Sequence, residues 1–251
     1  MNELLTLAVG AHGGLNHWNR FTNLTATASI TGALLQFKNT SGLLTRVSVE
    51  ALLHEQRVTT HLVGRNKRLV FTPQRVASET EDGQLLEERN DPRSAFRGQR
   101  QDTPWDDLHV AYFNSYALWT YLTIPFLYTY PEFVTEELPP WREDGETWRP
   151  LKVTFPDSVA SHGREQVSYF GEDGLLRRHE YTVDVLGGAP GVNYASDYRS
   201  VQGLQVPTKR RVYAFDAQKR KVPEPLLVAI DFHEFAFGTD DVPKRGLRLP
   251  D

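Results

Sequence analysis

The sequence predicts a mainly β, α+β chain: a single curled antiparallel sheet, an open or half β-barrel, wrapped around a central aromatic helix with a short N-terminal helix. Three observations lead there. Extended stretches rich in Thr, Val and Leu follow one another along most of the 251 residues, several of them run to ten or more residues, and only one long, strongly apolar helix interrupts them. Long consecutive antiparallel strands twist and coil toward a barrel or half-barrel. A sheet curling around one apolar helix buries both.

The first element is an amphipathic helix, with Leu4, Leu5, Ala8 and Val9 on one side, ending at Gly13-Gly14. Strand patterns then occupy about 24–38, 43–53, 56–63, 68–71, 75–79 and 85–89. "NTSG" at 39–42 and "EDG" at 81–83 supply turn chemistry between them.

The central helix opens at "TPWDDL", with Thr103 expected as N-cap, Pro104 at the first helical position, and Asp106 and Asp107 at the positive end of the helix dipole. Trp105, Leu108, Tyr112, Tyr116, Trp119 and Leu122 recur at three and four and form one apolar stripe. Phe113, Ala117, Tyr121 and Ile124 form a second stripe beside it. A helix apolar over more than half its circumference must be enclosed. Pro125 removes a donor and restrains the residue before it, so the helix ends near Thr123 or Ile124.

The run from Leu108 to Pro131 contains no carboxylate, Lys or Arg and is long enough to span a bilayer. Its scattered Thr, Ser and Asn, its five tyrosines and Pro125 speak for a protein interior instead, since membrane tyrosines gather at the interfaces. No transmembrane segment is expected.

Strand patterns resume at about 149–155, 166–170, 175–185, 192–201, 206–215 and 226–237, with Asp173-Gly174 turning the clearest hairpin. The whole is expected to be one domain, 1–251, with a helical insertion at about 103–124.

Composition narrows the function classes. The net charge of −4, from 28 basic and 32 acidic residues, offers no broad basic field for nucleic acid. Zero cysteines exclude disulfides and thiol chemistry and fit a reducing compartment. "MNELLTLAVGAHGG" lacks the basic start and the length of a secretory signal, so a cytoplasmic location is expected. His12 and His17 lie five apart around Gly-Gly, with no acidic residue to complete a ligand set, so no metal site is expected, and no cofactor motif is present.

"AHGGLNHW" at 11–18, "TPWDDLHVAYFNSYALWTYLTIPF" at 103–126, "FGEDGLLRRHEYTVDVLGG" at 170–188 and "GLQVPTKRRVY" at 203–213 together resemble an uncharacterised family of bacterial proteins. More distantly, the order of strands, aromatic helical insertion and further strands resembles the LolA-like superfamily of lipoprotein carriers. That resemblance implies an open half-barrel holding acyl chains under a helical lid.

The expected function is binding of an apolar or amphipathic, lipid-like small molecule on the concave face. The alternatives are an enzyme acting on a large apolar substrate there, or a filled barrel with a structural role. Tyr112, Tyr116 and Trp119 are the expected wall. The doublets Arg177-Arg178 and Arg210-Arg211 each send one guanidinium inward if their strands line the site, and Arg178 and Arg211 are the candidates. Structural pairing of the same inward arginines with Asp184, Asp197 or Asp231 is the reading favoured over a ligand role, because buried charges usually come paired. His179, Tyr181 and Val183 share one strand face and Arg178, Glu180, Thr182 and Asp184 the other, which disfavours a His179–Asp184 dyad.

Overall fold

A computed structural model describes residues 2–239; Met1 and 240–251, the ends of the expected 1–251 domain, lie outside the described residues. The N-terminal helix α1 (Glu3–Ala11) buries Leu4, Leu5, Ala8 and Val9, and Asn2 caps it by accepting from the Leu5 amide. A short helix, α2 (Leu15–Trp18), follows the two glycines.

The first half of the sheet is a meander: β1 (Asn23–Thr31), β2 (Val47–Leu52), β3 (Val58–Leu62), β4 (Lys67–Thr72), β5 (Arg75–Glu79) and β6 (Leu85–Asn90). The stretch 24–38, expected as one strand, divides. Gly32, at φ 129°, turns the chain into the short helix α3 (Ala33–Phe37), and a Cβ there would lie 2.3 Å from the Leu227 carbonyl oxygen. Only glycine tolerates both the dihedral and the approach.

The central helix α4 (Asp107–Thr123) is followed by β7 (Val134–Glu137), β8 (Trp141–Glu143), β9 (Glu146–Thr154), β10 (Glu165–Phe170), β11 (Leu176–Val183), β12 (Ala189–Val201), β13 (Leu204–Phe215), β14 (Lys221–Val222) and β15 (Val228–Gly238). β7 and β8 lack a sequence signal because they are short and carry no buried residue.

The fifteen strands make one sheet in the order β6-β5-β4-β3-β2-β1-β15-β13-β12-β11-β10-β9-β7, with β14 on β13 and β8 on β9 off that path. Every neighbouring pair is antiparallel. β15 joins the two halves by pairing with β1 on one side and β13 on the other. The end strands β6 and β7 do not pair with each other, so the sheet stays open, as the sequence predicts. α4 lies against β3, β4 and β5; across the fold the Tyr121 hydroxyl meets Tyr181 of β11, and Arg210 of β13 donates to the Tyr121 carbonyl. Among the described residues no helix is long and apolar enough to cross a membrane.

Candidate functional site

α4 starts later than the sequence suggests. Its N-cap is Asp106, not Thr103: the Asp106 carboxylate accepts from the His109 amide at 2.8 Å and from His109 Nδ1 at 2.7 Å. Asp106 wins because Arg89 and His109 both hold its carboxylate, whereas Thr103 accepts from the Arg100 amide one turn earlier. Burial alone would raise the Asp106 carboxyl; the hydrogen bonds from His109 and Arg89 overcome it and hold the group well below the usual carboxylate range. The helix ends at Thr123, before Ile124 and Pro125, as expected.

A cavity of about 370 Å³ lies beside α4. α4 contributes Phe113, Asn114, Ala117, Leu118 and Tyr121, α3 contributes Leu34 and Leu35, and β1, β13 and β15 contribute Ile30, Val212 and Ile230. The strands β11 and β12 close it with Tyr181, Val183 and Gly191. Gly191 is needed opposite Tyr181, since a Cβ there would lie 2.5 Å from the tyrosine ring. Exposed Phe37, Arg100, Gln101 and Pro190 are also lining residues, so the cavity opens between the 99–101 segment and the start of β12.

At its deep side the cavity meets a buried polar chain. The Tyr116 hydroxyl is 3.1 Å from His162 Nδ1, the Tyr121 hydroxyl is 3.0 Å from His162 Nε2, and Tyr121 and Tyr181 share a 2.6 Å hydrogen bond. His162 also stacks on the Tyr181 ring at 4.1 Å. It sits in the β9–β10 loop, which Gln56 holds by two hydrogen bonds to Ala160 and which accepts the Asp184 amide at the His162 carbonyl. Burial, then the nearby Arg93 charge, pushes the imidazole down to about 3. It is therefore neutral, donating through one nitrogen and accepting through the other. Burial pushes the Tyr116, Tyr121 and Tyr181 hydroxyls up, so these groups stay protonated.

Behind this chain, His179 joins Ser168 at 2.9 Å and Gln166 at 2.6 Å, and Tyr128 takes the Ser168 hydroxyl at 2.7 Å. Ser168 and His179 are fully buried and do not line the cavity, so this serine–histidine pair belongs to the packed core. His179 and Asp184 are not brought together; Asp184 pairs with Arg93 at 3.0 Å.

The expected site residues separate. Tyr112, Tyr116 and Trp119 are buried and do not line the cavity: Tyr112 packs on Phe71 and Phe96, the Trp119 indole donates to the Leu52 carbonyl at 2.8 Å, and Tyr116 sits behind the lining residues Phe113 and His162. The wall belongs to the second stripe, Phe113, Ala117 and Tyr121. Arg178 lies on the face of β11 opposite His179, ion-paired with Glu143 at 2.5 Å and Glu180 at 2.8 Å among Trp141, Tyr169 and Tyr194. Arg211 pairs with Asp231 at 2.6 Å on the far face of β13. The inward member of its doublet is Arg210, 1% exposed. His12 caps α1 and donates from Nδ1 to the Ala8 carbonyl, while His17 meets the Gln202 carbonyl, so the two serve separate backbone contacts. No group of three or more His, Cys, Asp or Glu among the described residues could hold a metal ion.

A known structure shares this arrangement of strands and helices. A LolA superfamily protein from Nitrosomonas europaea is 10% identical, with 89% of this chain and 87% of that chain covered and a TM-score of 0.50. The fold is LolA-like. Two further structures align at lower scores: a domain assigned to outer membrane lipoprotein sorting from Vibrio parahaemolyticus (10% identity, 91% and 94% covered, TM-score 0.49) and a DUF1329 family protein from Desulfovibrio piger (12%, 93% and 91%, TM-score 0.45). No family model and no curated protein matches the sequence. The identities are too low to carry more than the LolA-like fold across.

Proposed function

We propose that this protein binds a lipid-like apolar or amphipathic small molecule in the cavity between α3, α4 and the concave face of the sheet. The observation that carries this reading is the cavity itself: about 370 Å³, walled by Ile, Leu, Val, Phe and Ala side chains, with an opening at the surface. Such a volume falls within the roughly 300–1,000 Å³ of small-molecule sites, and apolar walls reward apolar surface at about 25 cal/mol per Å². The LolA-like fold supports the same reading, because the carriers of that superfamily hold acyl chains in a half-barrel.

The polar lining favours a binder over an enzyme. Tyr121, Tyr181 and His162 spend their hydrogen bonds on one another, and burial holds His162 neutral. None of them is poised near neutral pH as a general acid or base.

The test is titration of purified protein with the neutral fluorescent probe N-phenyl-1-naphthylamine, alongside native mass spectrometry of freshly isolated protein. Saturable one-to-one probe uptake, or a co-purified lipid, supports the reading. Absence of both sinks it.

A further inference from the structure

The cavity has a chemical polarity that its apolar walls hide. Among the described residues its lining includes two cations, Lys38 and Arg100, and no carboxylate. Lys38 is 1% exposed, yet it makes no ion pair among the described residues. Its ammonium donates to the Arg100 carbonyl at 2.9 Å and lies 5.2 Å from the centre of the Trp105 ring. Arg100 and Trp105 are themselves lining residues.

An ammonium carries three donors, and here one protein oxygen accepts from it. A buried charge is ordinarily paired. The nearest acidic influence is Asp102, exposed and 3.6 Å from Arg100. The Lys38 main chain is fixed from both sides, its amide bonded to the Leu34 carbonyl and its carbonyl to the Trp105 amide. The backbone at Lys38 is therefore anchored beside the cavity, and the Arg100 carbonyl and the Trp105 ring are what hold its ammonium there.

The surroundings are also sorted. Gln99, Arg100 and Gln101 gather with Lys38 on one side of the opening, whereas Tyr121, His162 and Tyr181 satisfy each other and are uncharged. Ile30, Leu118, Val212 and Ile230 are among the apolar residues that line the rest.

We infer that the ligand is a singly anionic, single-chain amphiphile, its carboxylate or similar anionic head seated on Lys38 and Arg100 just inside the opening and its hydrocarbon chain directed toward Tyr121. This rests on the cavity being a binding site. The anion supplies the acceptor that Lys38 lacks, and charge-assisted hydrogen bonds in a partly desolvated site are about twice as strong as neutral ones. Burial pushes the Lys38 ammonium below its usual range, a cost that a bound anion reverses.

The deciding experiment displaces N-phenyl-1-naphthylamine with two ligands of equal chain length, dodecanoate and dodecan-1-ol, at pH 8 and fixed ionic strength. Dodecanoate is expected to displace the probe at a concentration at least about tenfold lower than the alcohol. In Lys38→Met the acid falls to the level of the alcohol, and Lys38→Arg retains the preference. Equal displacement by acid and alcohol in the native protein overturns the anionic head while leaving the apolar cavity as a binding site. A native protein that takes up neither the probe nor either ligand overturns both. Because the acid and alcohol are compared in the native chain, the result stands even where Lys38→Met does not fold.

Discussion

Arg210 of β13 holds the last turn of α4 through Tyr121: its Nη2 donates to the Tyr121 carbonyl at 2.6 Å, and its guanidinium carbon lies 4.9 Å from the centre of the Tyr121 ring. That carbonyl is one of the orphan acceptors at a helix C-terminus, where a cation is also favoured by the helix dipole. The same ring wall faces the cavity and bonds His162 and Tyr181, so one residue couples the helix end, the sheet and the site.

Arg210 is buried, and its Nε and Nη1 have no hydrogen-bond partner among the described residues. Arg210→Ala removes both the bond and a large buried stem and is expected to cost about 3 kcal/mol or more. Arg210→Met keeps much of the volume and removes a poorly compensated buried charge, so its cost is expected to be clearly smaller. Urea unfolding of the two variants at neutral pH checks the order; equal losses would contradict it.

The buried histidines set an acid sensitivity. His162, pushed down to about 3, and His12, pushed down to about 4, both chiefly by burial, are neutral in the fold but bind a proton when unfolded below about pH 6.5. The unfolded state therefore holds more protons, and stability falls as pH drops from about 6.5 toward 4, at up to about 1.4 kcal/mol per pH unit for each histidine. His61 acts in the opposite sense, since Glu50 and then Glu81 raise it against the cost of burial. In chemical unfolding between pH 7.5 and 4.5, His162→Gln is expected to give a shallower loss than the native chain by roughly one histidine's slope.

The two candidate caps of α4 separate cleanly. Asp106→Ala removes the side-chain acceptor for the His109 amide and the Arg89 ion pair, with an expected cost of about 1–2 kcal/mol. Thr103→Ala touches only a turn that precedes the helix and is expected to cost less than about 1 kcal/mol. Thermal unfolding of both variants distinguishes them.

Ala117 leaves room in the wall that its bulky neighbours would otherwise fill. Ala117→Phe is expected to occupy cavity space, abolish uptake of N-phenyl-1-naphthylamine and leave the melting temperature unchanged or raised. Probe uptake that survives the substitution would place the binding site elsewhere.

How much of this was legible in the sequence depends on the range of the interaction involved. Alternation and turn chemistry located most strands, and the open curled sheet followed from their length. Residue alternation also held an unused clue: Arg210 shares its parity with Leu204, Val206 and Val212, and Arg178 shares its own with Glu180 and Thr182. The apolar parity marks the inner face, so Arg210 could have been preferred to Arg211, and Arg178 set aside. Lys38 carried no such signal, because it was read as the end of a strand that in fact turns at Gly32.

The sequence by itself determined that an apolar helix would be enclosed by a coiling antiparallel sheet, because periodicity, Pro125 and strand length act over a few residues at a time. Only the tertiary structure decided which stripe of that helix is packed and which is left facing space. Tyr112, Tyr116 and Trp119 are large enough to fill the gap against the sheet, whereas Ala117 is not. It also decided that Lys38 would meet Arg100, 62 positions away, at the opening of the cavity. Such a contact depends on how α3 and the segment before α4 come together across the fold, and no local pattern encodes it.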